Sequence, residues 1–166
     1  LGWRGIRFTL DHPDIFLMQI RAMLRASAES QNLSILLPMV SGAQELDDAI
    51  ALIERAYQEV VELDDRVQMP EIGVMIEVPS MIYLLPLIAH KVDFVSIGTN
   101  DLTQYLLAVD RNNARVSDVY ESMHPAVIMA LDTPCPVTSP IRTSRRPSAI
   151  SAKFPQSPPQ MLALLK

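Results

Sequence analysis

The sequence is poor in several things at once, and each scarcity narrows what it can be. One cysteine, Cys135, rules out an internal disulfide and fits a reducing compartment. No His/Cys cluster has zinc spacing, and His12, His90 and His124 lie far apart, each placed as a turn, helix-end or loop residue. No apolar run approaches the ~20 residues a membrane span requires, and the first residues lack the layout of a signal peptide. Glycine numbers five and none follows Gly98. Acidic residues stop at Asp132, although the net charge of the chain is −5. That charge argues against a general nucleic-acid or anionic-membrane role. Leu1 in place of Met reads as a fragment or a processed chain.

What is present falls into two unlike parts. Residues 133–166 hold seven of the 13 prolines, five basic residues and no acid, and show no convincing period. They read as a Pro-rich basic tail, disordered or derived from a frameshift. Removing their five positive charges leaves residues 1–132 at −10. The chain is 49 % apolar over 166 residues, enough for one core but short of the ~250 residues of a complete (β/α)8 barrel.

Residues 1–132 alternate apolar runs with helical periods. Residues 2–10 read as a strand carrying Arg4 and Arg7, whose odd spacing would set them on opposite faces. A helix follows Pro13. Residues 33–40 are a continuous apolar run, hence a buried strand, and Ser41 to Glu45 opens a second helix with capping-box character. Residues 72–78 form a third strand with Glu77 at its end, and Pro79 starts the next helix. Residues 92–97 read as a short buried strand ended by Gly98, followed by a helix with Leu102, Tyr105, Leu106 and Val109 on one face. A polar loop over 112–124 and a short helix over 125–131 complete this part. Strand–helix repeated four times with near-continuous apolar strands means a parallel α/β sheet, with open sheet and barrel both allowed by pattern.

The chemistry concentrates at strand ends. Asn100 and Asp101 stand where a strand hands over to a helix, the place where α/β folds bind ligands and where free N–H groups suit a phosphate. Read locally, they are helix-cap types. Glu77 sits in an apolar run where an unpaired acid is costly to bury, so a ligand role outranks a surface one. Neighbouring parallel strands end on one rim, so Glu77 and Asp101 can converge there. Two oxygen ligands with the other positions left to water and substrate suit Mg2+. Arginine is suited to forked recognition of phosphate, but Arg111 alone reads as a helix C-terminal charge.

Three stretches are familiar: 1–7, Gly73-Val74-Met75-Ile76-Glu77-Val78-Pro79, and Ser96-Ile97-Gly98-Thr99-Asn100-Asp101-Leu102-Thr103-Gln104-Tyr105 through Asp110-Arg111-Asn112-Asn113. They resemble enzyme I of the bacterial phosphoenolpyruvate-dependent phosphotransferase system, most nearly its nitrogen-branch paralogue. Pyruvate phosphate dikinase and phosphoenolpyruvate synthase share the domain. The resemblance runs unbroken to about Leu131, and the Gly98-to-Arg111 motif is long and specific. It implies a partial (β/α)8 TIM-type barrel, incomplete at both ends, from the C-terminal phosphoenolpyruvate-binding domain.

By the same resemblance, Glu77 and Asp101 would hold Mg2+. Asn100, the backbone at Asn100 and Asp101, and Arg111 would bind substrate. Arg7 matches the family's phosphate-binding arginine and Arg4 is its neighbour. The activity implied is phosphoryl transfer from phosphoenolpyruvate to a histidine on a separate swivelling domain, then to a phosphocarrier protein, in a cytoplasmic homodimer serving sugar transport or its nitrogen counterpart. No nucleic-acid partner or membrane span is implied.

The departures are equally definite. No histidine here matches the phospho-acceptor. Cys135 does not match the family's proton-donating cysteine and reads as a spectator thiol, so no catalytic residue is assigned. The alternative is therefore a catalytically inactive phosphoenolpyruvate-binding or dimerisation fragment.

Overall fold

The computed structural model describes residues 2–132. The expectations for residues 133–166, Cys135 included, lie outside the described residues. The element order is α1 (Ile6–Asp11), α2 (Pro13–Ala26), β1 (Ser34–Leu37), α3 (Ala43–Val61), β2 (Glu71–Ile76), α4 (Pro79–Ile88), β3 (Phe94–Ile97), α5 (Thr99–Leu107), a 3-10 turn (Ser117–Val119) and α6 (Pro125–Asp132). Three parallel strands pair in sequence order, with Leu37 opposite Val74 and Ile76 opposite Ile97. Parallel neighbours need a crossover, and α3 and α4 supply it. Among the described residues no helix is long and apolar enough to cross a membrane.

The core explains why these segments fold as they do. α2 and α3 pack side by side, burying Leu17, Ile20 and Leu24 against a layer that includes Leu46, Ile50 and Ile53. Ile35 and Leu37 of β1, Ile72, Val74 and Ile76 of β2, and Met81, Leu85 and Ile88 of α4 complete it. α3 begins at Gly42, where the Glu45 carboxylate turns back to accept from the Ser41 and Gly42 N–H groups and the Ser41 hydroxyl. That is the acidic half of the expected capping box; Gly42 has no side chain to supply the other half. His124 starts α6, its Nδ1 accepting the Ala126 N–H at 3.1 Å.

Two expectations are corrected. Residues 2–10 are not a strand: Ile6–Asp11 is helical, and three strands, not four, are present among the described residues. Gly2 and Gly5 hold φ of 104° and 58°, which breaks any extended run. Beyond Gly5, the Ile6 N–H is held by the Pro38 carbonyl. Phe8 and His12, four residues apart, tilt against each other and both meet the Trp3 ring edge to face, contacts that an extended chain would separate. The odd-spacing argument for Arg4 and Arg7 therefore lapses. Second, β3 is half-buried throughout rather than buried, and no further strand lies beyond it among the described residues.

Gly73 of β2 pairs with Phe94 of β3, and the Phe94 ring covers the space a Cβ would need. Gly73→Ala is expected to destabilise the chain by about 2 kcal/mol, the usual cost of overpacking. Urea unfolding measures it, and the double variant Gly73→Ala/Phe94→Val should recover part of the loss.

Candidate functional site

Glu77 follows β2 directly and is 4 % exposed. Its Oε1 accepts the Met39 backbone N–H at 2.6 Å. Met39 belongs to the loop after β1 and adopts the left-handed region, φ 59°, so one strand's end orients its neighbour's acid. Gly98 makes room on the other side: a Cβ there would stand 2.8 Å from both Glu77 Cβ and Oε2. Burial pushes the Glu77 carboxyl above its ordinary range. The Met39 N–H opposes this, the facing Asp101 carboxyl adds to it, and Arg4 opposes it.

Asp101 lies in the first turn of α5, yet this helix is capped by Gly98 with no side-chain hydrogen bond. Its carboxylate is thus not spent on capping. One oxygen, Oδ2, takes the Arg4 guanidinium at 2.6 Å, and Oδ1 takes the Gln104 amide at 2.9 Å. The structure therefore brings Glu77 and Asp101 face to face at the carboxyl ends of β2 and β3. Among the described residues no group of three or more His, Cys, Asp or Glu side chains converges, so the acids here are a pair. Two hard carboxylates face each other, with Glu77 raised first by its burial and then by Asp101, and a divalent cation bound between them would offset their negative charge. This donor set fits Mg2+ with water and substrate filling the remaining positions.

Beside the pair opens a cavity of about 590 Å³, lined by Arg4, Asp101, Gln104, Tyr105 and the 108–112 turn with Arg111. The Arg111 guanidinium makes no hydrogen bond or ion pair among the described residues, while its backbone N–H donates to Gln104 Oε1 at 3.1 Å. Asn100 accepts the Tyr120 hydroxyl at 3.1 Å. Arg7 stands apart from the acid pair. It donates to the Gly2 carbonyl and to the Ser41 hydroxyl, each at 3.0 Å, and pairs with Glu45 at 3.5 Å.

Of the expected residues, Asp101 and Arg111 line one cavity. Glu77 faces Asp101 from a buried position, Asn100 precedes Asp101 on α5 and is held by Tyr120, and Arg7 anchors the adjoining loop. Arg4, read only as Arg7's neighbour, is the arginine that reaches Asp101. Gln104 and Met39 were not singled out by sequence reasoning. Gln104 carried one usable signal, its i,i+3 spacing from Asp101. Met39 carried none, because it acts through its backbone.

Residues 1–138 match the family of PEP-utilising enzymes, PEP-binding domain. A Salmonella typhimurium protein, "Phosphoenolpyruvate-dependent phosphotransferase system", is 61 % identical over 132 residues, which cover 79 % of this chain and 18 % of that protein. Its Escherichia coli namesake shows the same identity and coverage. A Cupriavidus necator phosphoenolpyruvate-protein phosphotransferase is 46 % identical over 132 residues, 77 % of this chain and 22 % of that protein. The chain thus spans about a fifth of the length of the curated relatives it matches. With the matched span covering every element described above, the chain belongs to the PEP-utilising enzymes, within their PEP-binding domain.

Proposed function

We propose that this chain supplies part of the phosphoenolpyruvate and Mg2+ site of an enzyme that moves the phosphoryl group of phosphoenolpyruvate to a protein histidine. The observation that carries this reading is the meeting of Glu77 and Asp101 at adjacent strand ends, beside a cavity into which Arg111 is free to reach. We read the whole domain as a (β/α)8 barrel, an arrangement with which consecutive parallel strands and acids on one rim are compatible.

Glu77 and Asp101 would hold the cation, which when bound offsets negative charge on the phosphoryl oxygens. Arg111 grips the phosphate and keeps the phosphorus in line with the incoming imidazole. Arg7 stands one loop away, tied to Ser41, and would need to leave that contact to join it. Asn100 and the α5 N-terminus offer donors to the substrate's carboxylate. In the reaction the bond from phosphorus to the enol oxygen breaks as the phosphorus–nitrogen bond to histidine forms. The enolate left behind takes a proton to become pyruvate. Catalysis by such a site is positioning and charge stabilisation rather than covalent chemistry on the barrel itself.

A second reading is favoured by the histidines. His12 stacks on Trp3 and Phe8, His124 caps α6, and none of the three histidines lines the cavity as an acceptor. The chain by itself would then bind phosphoenolpyruvate without passing on its phosphoryl group, or act through a subunit interface. The experiment supplies Mg2+ and phosphorus-labelled phosphoenolpyruvate, with and without an added phosphohistidine domain. Label on the added domain supports transfer, binding without label supports the second reading, and no binding rejects both site assignments.

A further inference from the structure

Gln104 takes no part in the reaction proposed above, yet it joins two of the groups that do. Its Nε2 donates to Asp101 Oδ1 at 2.9 Å and its Oε1 accepts the Arg111 backbone N–H at 3.1 Å. The amide has one workable orientation. A carboxylate only accepts and a backbone N–H only donates, so flipping the amide would oppose like with like at both ends. The backbone of the same residue shapes the turn. Its carbonyl takes the Val109 N–H at 3.0 Å, just past Ala108, which holds the left-handed conformation at φ 53°, ψ 39°. Residues 108–111 therefore double back over Gln104 and bring Arg111 to the mouth of the cavity.

Asp101 is held from two sides, Oδ2 by Arg4 and Oδ1 by Gln104. Of the two, only Gln104 leads on to Arg111. We infer that Gln104 is a positioning residue that couples the cation-binding acid to the phosphate-binding arginine, so that the two ligands bind more tightly together than apart. This rests on the reading of the site given above. A carboxylate drawn toward a cation carries the amide with it, and the amide carries the 108–111 turn. By linkage, phosphoenolpyruvate tightens cation binding by the same factor by which the cation tightens phosphoenolpyruvate binding.

The test uses the full 166-residue chain and Mn2+, whose paramagnetism reports occupancy through water-proton relaxation. Mn2+ is titrated without and with saturating phosphoenolpyruvate, and the ratio of the two dissociation constants is the coupling factor. Gln104→Met keeps an unbranched side chain of similar length and removes both hydrogen bonds. It is expected to lower the coupling factor by roughly 10-fold, within the usual span of allosteric couplings. Gln104→Glu retains an acceptor for Arg111 but sets a negative charge against Asp101. It is expected to lose the coupling as well, and it carries the test should Gln104→Met fail to fold.

A folded variant with its coupling factor intact overturns the assignment. Equal weakening of both ligands at an unchanged ratio, with a lowered Tm, assigns Gln104 a structural role and overturns it too. If the unsubstituted chain binds no Mn2+, the failure lies in the reading of the acid pair itself and takes this inference with it.

Discussion

Replacing Asp101 with alanine is expected to weaken cation-dependent binding of phosphoenolpyruvate by roughly 100-fold or more, the scale of several kcal/mol that a charged ligand set contributes. The expectation follows from how the carboxylate is held. It makes no cap to α5, so its removal leaves the helix start intact. Arg4, its ion-pair partner, keeps 57 % of its side-chain surface in solvent, so losing the pair costs little stability. Glu77 would be left facing a void with one oxygen still fastened to Met39. The large effect should therefore fall on binding and a small one, within about 1 kcal/mol, on folding. Asp101→Asn separates charge from shape, since it preserves an oxygen for Gln104 and removes the negative charge. It should lose cation binding nearly as completely as alanine does. Calorimetric titration with Mg2+ and phosphoenolpyruvate, alongside thermal unfolding, measures both quantities. Equal binding by either variant and the unsubstituted chain would remove Asp101 from the site.

Why the strand-end positions of Asp101 and Glu77 were legible from sequence, while the contacts of Arg4, Gln104 and Met39 with them were not, is a matter of range. A β-branched run closed by Gly98 and followed by helical spacing is local information, and strand-end position carries it to a ligand rim without knowledge of the rest. Glu77 was legible because an acid inside Val74-Met75-Ile76 needs a reason to be there. The opposite case is the first segment. Its Ile, Phe and Trp content favours a strand, but Gly2 and Gly5 take positive φ, and a glycine's φ cannot be read from its identity. Once that segment is a helix, alternation no longer describes it. Arg4 falls before the cap and reaches Asp101, while Arg7 falls in the first turn and turns to Ser41 and Glu45. Met39 lies further beyond reach: what it gives Glu77 is a backbone N–H, which every residue but proline has. The same limit applies to barrel against open sheet. Both begin with consecutive parallel strands, and three strands in sequence order are compatible with either.

The strained partner of the pair gives the second large effect. Glu77→Gln is expected to stabilise the cation-free chain near neutral pH while reducing cation binding by about 100-fold. Its carboxyl titrates above the ordinary range because burial and the facing Asp101 disfavour its charge. Below the ordinary range the folded and unfolded chains are both protonated at this position, and the residue exacts no cost. As pH rises, the unfolded chain ionises first, and the native chain loses stability until its own carboxyl has ionised as well. The penalty is then complete and persists at higher pH. Glutamine escapes it. Its carbonyl oxygen can accept from Met39 as the carboxylate does, and its amide can donate to Asp101 where two oxygens now oppose each other. The gain should be on the order of 1–2 kcal/mol at about pH 7, in the range of other single stabilising changes, and should vanish near pH 4. Mg2+ should raise the Tm of the unsubstituted chain, because a ligand that binds only the folded state stabilises it, and should leave that of Glu77→Gln unmoved. Thermal unfolding at the two pH values, each with and without Mg2+, yields all four comparisons. A variant no more stable than its parent at neutral pH would mean that Glu77 is solvated well enough to carry its charge unaided. An acid so placed would have no need of a cation, and the physical ground for assigning one to it would be gone.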